Sequence, residues 1–538
     1  MSTPSGTEST RRRARLAVDR WAGRRVLPGP EPAGAVRVTA AGRPLWAQPR
    51  AVATPLGVHA EALAAVLARL QGAGLPVIAM TMRSTAARFA VTAADATGVV
   101  AALQGLGAGW YVAERWGEDL LRVTPAGRTD AAAWSAVGTV AVLRPVTDPQ
   151  GLQVLGVDWS VSVEIWRPSA SGFRAPGSNR WTPVLPTDVS PTATVEVAGV
   201  ELPTLPQIAA GHVHDVPFPI DVVYTWVDGS DSRWRARMRE HRGLAVESVN
   251  ERAVADARFR DQDELRYSLR SLQQYAPWVR HIWLVTDQQT PPWLDATSEG
   301  ITVVDHRSLW ADQGALPVFN SHAIESRLHH IEGLAEHYLY LNDDVMLCRR
   351  LEPGDFFSPG GVACIEPSNT RVDLGPPTID DPGAAAAMKN NREMLRPLIE
   401  ASITQTFRHT PHTQRRSVAY ELEEQFAEDY RRVGASRFRS PSDFSPISLQ
   451  QWYSYRTGRA VRGRLEYAYV DVARTAGLDA LATALSRDDL DVICLNQSED
   501  AGAGVDTDRL PALLASTYPF AARFERCLLY PSDAADEE

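Results

Sequence analysis

The stretch His337-Tyr-Leu-Tyr-Leu-Asn-Asp-Asp-Val-Met346 places Asn342, Asp343 and Asp344 where a short apolar run ends. Tyr338 to Leu341 reads as a buried strand, and open α/β sheets receive polar ligands outside the carboxyl ends of their strands. Two neighbouring carboxylates repel by roughly 4 kcal/mol at about 4 Å and an effective dielectric near 20. A cation, a proton or solvent must relieve that repulsion. A divalent metal at Asp343 and Asp344 would do so and would bring phosphate oxygens with it. Strand residues alternate in direction, so the two aspartates need not share one job, whereas Asn342 and Asp344 share a face.

Two other stretches carry chemistry. Ile220 to Trp226 has the β-branched and aromatic content of a central parallel strand and runs into Val227-Asp-Gly-Ser-Asp231. Gly229 permits a tight turn, and Asp228 and Asp231 flank it as acceptors for a metal or a ribose. An ordinary strand-to-helix turn with Asp231 as N-cap accounts for the same residues. Farther on, Thr406-Phe-Arg-His-Thr-Pro-His412 and Ser436-Arg-Phe-Arg-Ser440 flank a helix expected from about Arg416 to Tyr430. Loops so separated can converge on an anion, with His409 or His412 for proton transfer and Arg437 or Arg439 for bidentate contact with phosphate.

The elements that must position these groups follow from periodicity. Asp263 to Ala276 carries Leu265, Leu269 and Leu272 at helical spacing and stops before Pro277. Its Arg266 and Arg270 are expected to face solvent, with Arg266 near enough to the helix start to reach a phosphate. Strands are expected at His281 to Thr286 and Ile301 to Val304. Phe319 to Ile331 reads as one capped helix, with Asn320 or Ser321 at its N-cap and Ile324, Leu328 and Ile331 buried. Asn320, Ser321 and His322 then lie at a helix N-terminus, which favours anions. His329 and His330 read as surface residues, because adjacent helical positions do not share a face.

Upstream, His59 to Leu70 and Ala93 to Leu106 read as helices, and Pro76 to Met82, Arg88 to Thr92 and Trp110 to Ala113 as strands. Leu155 to Trp166 alternates like a half-buried strand, with Asp158, Ser160, Ser162 and Glu164 outward and a hairpin turn after it at Gly172 or Gly177. Trp110, Trp116 and Trp159 read as core. With 538 residues, 44% of them hydrophobic, two domains are expected. These are a basic tail over 1–30, an α+β accessory domain over 31–206 suited to acceptor recognition, and a domain over 216–526 with a mostly parallel, Rossmann-like α/β sheet and flanking helices. An acidic tail, 527–538, follows, and the Pro203 to Pro219 connection marks the boundary.

A net charge of −10 excludes a generic nucleic-acid or anionic-membrane binder. Cys348, Cys364, Cys494 and Cys527 form no C-x-x-C pair, which fits reduced thiols in a cytoplasmic protein. No signal peptide or transmembrane run is evident, leaving room only for peripheral association with the inner face of a membrane.

Taken together, Asp221 to Asp231, the block from Phe259 through Asn320-Ser-His-Ala-Ile-Glu-Ser to Met346, His409 to Arg439, and Val492-Ile-Cys-Leu-Asn496 resemble the Stealth family. These sugar-phosphate transferases include bacterial capsule polymerases and the lysosomal-enzyme N-acetylglucosamine-1-phosphotransferase. The resemblance spans about residues 216 to 526. It implies transfer of hexose 1-phosphate from a UDP-sugar, typically a UDP-N-acetylhexosamine, to a hydroxyl of a glycan or lipid-linked glycan. UMP is released, and Mg²⁺ or Mn²⁺ assists. By position it makes Asp343 and Asp344 the acidic pair, His409 the essential histidine and Arg439 the essential arginine. Trp226, Asp228, Gly229, Asp231, Arg266, Asn320, Ser321, His322, Asn342, His412 and Arg437 are left as candidate substrate contacts. The fourth block departs from the family pattern, with Gln497 in the usual acidic position and Glu499 or Asp500 as substitutes. Two rival readings are a metal-dependent glycosyltransferase releasing UDP and an inactive nucleotide-sugar-binding subunit.

Overall fold

A computed structural model describes residues 29–80, 87–116, 119–135, 137–242, 262–496 and 509–526. Most of the expected basic tail, the acidic tail, Gln497, Glu499 and Asp500 lie outside the described residues. The chain divides into two units. One holds the residues up to Asp215 together with Pro519–Ala521, and the other runs from Val216 to Tyr518 and resumes at Ala522.

The first unit is α+β. Its main helix, Pro55–Gly72, starts where Thr54 accepts a hydrogen bond from the Gly57 amide at 3.1 Å, and it buries Val58, Ala62, Leu63, Val66 and Leu70 on one face. The alternating stretch at 155–166 is not one half-buried strand. Val154–Leu155 pairs with Val146–Thr147, and a separate strand, Val161–Ser169, lies within the largest sheet of this unit. Both faces of that second strand are covered, so Ser160, Ser162 and Glu164 are buried instead of outward. Glu164 is satisfied by Arg88 at 3.3 Å and by the Trp166 indole N–H at 3.0 Å. Alternation misleads here because polar residues stay inside once they find partners. The expected hairpin follows, with Ser169 opposite Gly172.

In the second unit we number β1 Ile220–Thr225, β2 Ile282–Thr286, β3 Ile301–Asp305, β4 His337–Asn342, β5 Val345–Leu347, β6 His412–Arg415, β7 Tyr467–Asp471 and β8 Val492–Asn496. The helices used below are α1 Ser232–Arg242, α2 Glu264–Tyr275, α3 Ser321–Glu325, α4 Arg416–Gln425, α5 Ala427–Gly434 and α6 Pro446–Arg456. The main sheet has the order β3-β2-β1-β4-β6. Its first four strands are parallel and β6 is antiparallel to β4, so the sheet is mostly parallel, as expected.

Alternate residues feed two layers. Val222, Tyr224, Leu284, Leu339 and Leu341 pack with Leu265, Leu269 and Leu272 of α2. Val223, Val285, Val304, Tyr338 and Tyr340 pack on the other side with Ala323, Leu328, Ile331 and Ile447. Each fully buried aliphatic side chain contributes about 1.5–3 kcal/mol, so this double burial fixes where the strand ends fall.

Three helix expectations are corrected. Phe319 to Ile331 is not one helix: α3 ends at Glu325, and a tight 3-10 turn spans Leu328–His330. The Arg327 side chain is drawn off to Glu423 at 2.8 Å and to the Tyr430 carbonyl at 3.2 Å, which favours the break. The tighter turn also brings His329 and His330 onto one partner, with Glu423 Oε2 at 2.7 and 2.8 Å, and His329 is buried. The helix expected from Arg416 to Tyr430 breaks at Phe426, whose φ of −118° and ψ of 40° leave the helical region.

Candidate active site

Asn342 closes β4 opposite Thr225, and Asp343 and Asp344 form the tight turn between β4 and β5. Strand alternation therefore stops at Asn342 and does not set the directions of the two aspartates. Asp344 is anchored through its carbonyl, which accepts the Leu495 amide of β8 at 2.9 Å. Its Oδ2 accepts a weak bond from the Cys494 thiol at 3.5 Å, while its buried Oδ1 has no partner among the described residues. Burial pushes this carboxyl up to about 6, with the thiol bond opposing. Asp343 acts electrostatically on the buried phenols of Tyr224 and Tyr340. A buried carboxylate oxygen lacking a donor, next to a second carboxylate, is a donor set suited to a hard divalent cation.

The Tyr340 phenol feels both Asp343 and a cation, Arg439. Arg439 Nη2 donates to the Ser321 hydroxyl at 2.6 Å. Its surroundings lower the guanidinium pKa by desolvation, against the pull of Glu325, Tyr340 and Asp443. Glu325 lies four residues after Ser321, on the same side of α3, and hydrogen-bonds to it. Burial raises Glu325 to about 7, with Arg439 and Ser321 opposing. Periodicity assigned this glutamate no role. Its one available signal was the four-residue spacing from Ser321.

The loop that delivers Arg439 is braced by Asn320. This residue is fully buried, caps α3 through Oδ1 to the His322 amide at 3.1 Å, and donates from Nδ2 to Asp443 at 2.8 Å and to the Ser436 carbonyl at 3.2 Å. Phe319 stacks on Phe438, and its amide bonds the Arg437 carbonyl at 2.7 Å. Asn320 is therefore a brace and not a phosphate contact. With only five residues, and with the amide of its second residue taken by Asn320, α3 offers no helix-terminal anion site. His322 is buried in its first turn. Arg437 differs from Arg439 in its partner: its Nη2 donates to the Gly314 carbonyl at 2.8 Å. The structure thus separates the two arginines that spacing left equivalent.

His409 sits in the same cluster. The residue is exposed, yet desolvation of its ring and then the Arg439 cation hold it below its ordinary pKa. It is therefore neutral near pH 7 and able to accept a proton. His412 lies opposite Tyr340 in the β4–β6 pairing and stacks on it at 6.3 Å between ring centroids. Burial and then His409 push it down to about 3, leaving it a neutral packing partner.

The turn after β1 is tied by a residue that spacing did not suggest, Gln289. Its Oε1 accepts the Asp228 amide at 3.0 Å, and its Nε2 donates to the Asp228 carbonyl at 3.0 Å and to Asp231 Oδ2 at 3.1 Å. Asp231 also accepts the Arg233 amide at 2.8 Å, which makes it the N-cap of α1. Of the two readings of this acid, the capping one describes its bonds. Gln289 and then the backbone amides hold its carboxyl below the usual range, opposed by burial. Asp228 is partly exposed in the turn, and Trp226 and Gly229 are buried.

Arg266 neither faces solvent freely nor points to this site. Its Nε donates to Glu525 at 2.6 Å, and Arg270 pairs with the same carboxylate at 2.6 and 2.8 Å. The ligand atoms of His329, His330 and Glu423 lie within 4.8 Å of one another. Arg327 already supplies the positive charge there, so the cluster is satisfied as an ion-pair brace between α4 and the turn after α3.

The parts brought together are strand-end carboxylates, a desolvated guanidinium, a neutral imidazole and a buried acid. Comparison with known proteins places this inventory. Models of Stealth conserved regions 1, 2 and 3 match residues 218–243, 258–365 and 408–455. An exopolysaccharide phosphotransferase of Streptomyces coelicolor is 40% identical over 501 residues, covering 89% of this chain and 84% of that protein. A second from the same organism is 41% identical over 86% of this chain and 50% of its own length. The exopolysaccharide phosphotransferase CpsY of Mycobacterium tuberculosis is 39% identical over 69% of this chain and 70% of its own. Among solved structures, a galactosyltransferase with donor and acceptor sugar analogues aligns at a TM-score of 0.27 and 11% identity over 55% of this chain and 96% of that one. That likeness is too slight to bear on fold or function.

The protein is an α/β phosphotransferase. It belongs to the Stealth family.

Proposed function

We propose that the protein transfers hexose 1-phosphate, in particular N-acetylhexosamine 1-phosphate, from a UDP-sugar to a sugar hydroxyl of a glycan or lipid-linked glycan. The products are a phosphodiester and UMP. The observation that carries this reading is the desolvated Arg439 guanidinium, held on Ser321 beside Glu325 and in electrostatic reach of His409. Relatives named exopolysaccharide phosphotransferases support a reading of sugar-phosphate transfer in glycan synthesis.

In the reaction, the acceptor hydroxyl oxygen forms a bond to the β-phosphorus. The bridging bond to the α-phosphate breaks, and its electron pair leaves with UMP. The hydroxyl proton passes to His409, whose imidazole is kept neutral. Arg439 neutralises the equatorial oxygens, where charge builds in the transition state. Glu325 and Ser321 orient it. Asp343 and Asp344 are the residues that would hold Mg²⁺ or Mn²⁺, a donor set that the partnerless Asp344 Oδ1 fits. A bound divalent ion would supply further neutralisation of phosphate charge. The turn of Trp226, Asp228 and Gly229 receives the nucleotide side of the donor, and Asn342 lies beside it at the end of β4.

No described helix is long and apolar enough to cross a membrane. We assign the reaction to the cytoplasm or the inner membrane face, and the first unit to an accessory role. The test is incubation of the purified protein with UDP-N-acetylglucosamine, Mg²⁺ and a panel of sugar acceptors, followed by phosphorus NMR. UMP with a phosphodiester signal is expected. UDP would replace this reading with glycosyl transfer, and donor binding without any turnover would replace it with a sensor role.

A further inference from the structure

Tyr420, Tyr455 and Tyr469 are the exposed large aromatic side chains among the described residues. Two of them are engaged away from the site. Tyr420 packs against His329, with the Arg416 guanidinium over its ring at 5.7 Å, and Tyr455 packs edge-on against Trp452. Tyr469 is the most exposed of the three, at 49%, and its ring stands 5.4 Å from His409 at an interplanar angle of 67°.

The position of Tyr469 is set by strand register. On β7 it lies opposite Cys494 of β8, and Cys494 in turn lies opposite Val345, the residue after Asp344. Alternation puts Tyr467, Tyr469 and Asp471 on one face of β7, while Val470 turns into the core. The Tyr469 phenol is raised to about 12 by burial and then by Cys494 and Asp344, which places it within electrostatic reach of the acidic turn.

A half-exposed aromatic ring beside a charged site has a specific physical use. A pyranose has one face of C–H bonds and a rim of hydroxyls. An aromatic face takes the apolar side through dispersion and quadrupole attraction, leaving the hydroxyls free to reach polar groups. Along the pairing order β1-β4, then β5-β8-β7, the acidic turn lies between the β1 turn and Tyr469. In-line displacement requires the acceptor to approach opposite the nucleotide leaving group. With the nucleotide side received at the β1 turn, the ring on the far side serves the acceptor.

We propose that Tyr469 is the stacking platform for the acceptor pyranose, holding it so that its attacking hydroxyl meets His409. This rests on the sugar-phosphate transfer proposed above.

Two measurements test it. In steady-state kinetics with UDP-N-acetylglucosamine, Tyr469→Ala is expected to raise the acceptor KM about tenfold while the donor KM stays within about twofold. Tyr469→Phe is expected to restore the acceptor KM, because the ring and not the hydroxyl does the stacking. A rise in donor KM matching that in acceptor KM, or an unchanged acceptor KM, overturns the proposal. Saturation-transfer NMR with cellobiose, lactose and chitobiose is independent of turnover. Saturation of pyranose C–H protons by the wild type, lost in Tyr469→Ala and kept in Tyr469→Phe, supports the platform even if no UMP is released. Equal saturation in the wild type and Tyr469→Ala, or none from any of the three sugars with the wild type, overturns it.

Discussion

Arg439 Nη2 meets the Ser321 hydroxyl at 2.6 Å across 118 residues of chain, and this bond joins the first turn of α3 to the loop before α6. Asn320, the residue before Ser321, holds the same loop by bonding Asp443. One residue braces and the next aims, which is how a short helix positions a desolvated cation beside Glu325.

If Arg439 neutralises phosphate in the transition state, Arg439→Lys should lower kcat by about 10²–10³-fold, because a point charge replaces a planar fork. Ser321→Ala removes only the orienting bond and should cost about tenfold. Rates of nucleotide release report both. Full activity in Ser321→Ala would limit that bond to a structural role.

Glu325 gives a pH signature with a definite sign. Its folded pKa of about 7 stands above the ordinary value of 4.5, because burial disfavours the ionised form. Its contribution to stability is therefore fully present below about pH 4.5 and is lost as pH rises through about 7. Glu325→Gln should melt higher than wild type at pH 8, and the difference should vanish near pH 4. Thermal melts across that range decide it, and a constant offset would contradict the assigned burial.

Asp344 carries the cation prediction. Its carboxyl, raised to about 6, costs stability when ionised and bare. Mg²⁺ or Mn²⁺ should therefore stabilise the fold at pH 8 by about 2.7 kcal/mol at 100-fold excess over Kd, read as a higher melting temperature. Asp344→Asn should abolish that response and, without metal, melt at or above wild type. Equal Mg²⁺ stabilisation of wild type and variant would move the cation elsewhere.

Glu525 is a stability prediction remote from the chemistry. Its side chain is 3% exposed and clamps Arg266 and Arg270. Glu525→Ala leaves two partly buried guanidinium groups without their carboxylate, at about 3–5 kcal/mol. Urea denaturation should show a lower midpoint with an unchanged slope.

The strand end that carries Asp343 and Asp344 was legible in the sequence for local reasons. An apolar run such as Tyr338 to Leu341 must be buried, so the acids after it must fall at a strand end whatever the distant chain does. The same reasoning fixed β1, the glycine turn after it and the amphipathic stripe of α2. Only tertiary structure gives His409 and His412, or Arg437 and Arg439, different surroundings. Each pair is chemically equivalent in sequence and differs in which distant carbonyl, ring or carboxylate it meets. It likewise turned Asn320 and Arg266 from ligands into braces and buried Ser162 and Glu164. It also brought Glu325, Gln289 and Tyr469 to the site. Local periodicity reads the hydrophobic term, which depends on neighbours along the chain. Hydrogen bonds, desolvation and ion pairs depend on groups tens to hundreds of residues away, and those decide what each polar side chain does.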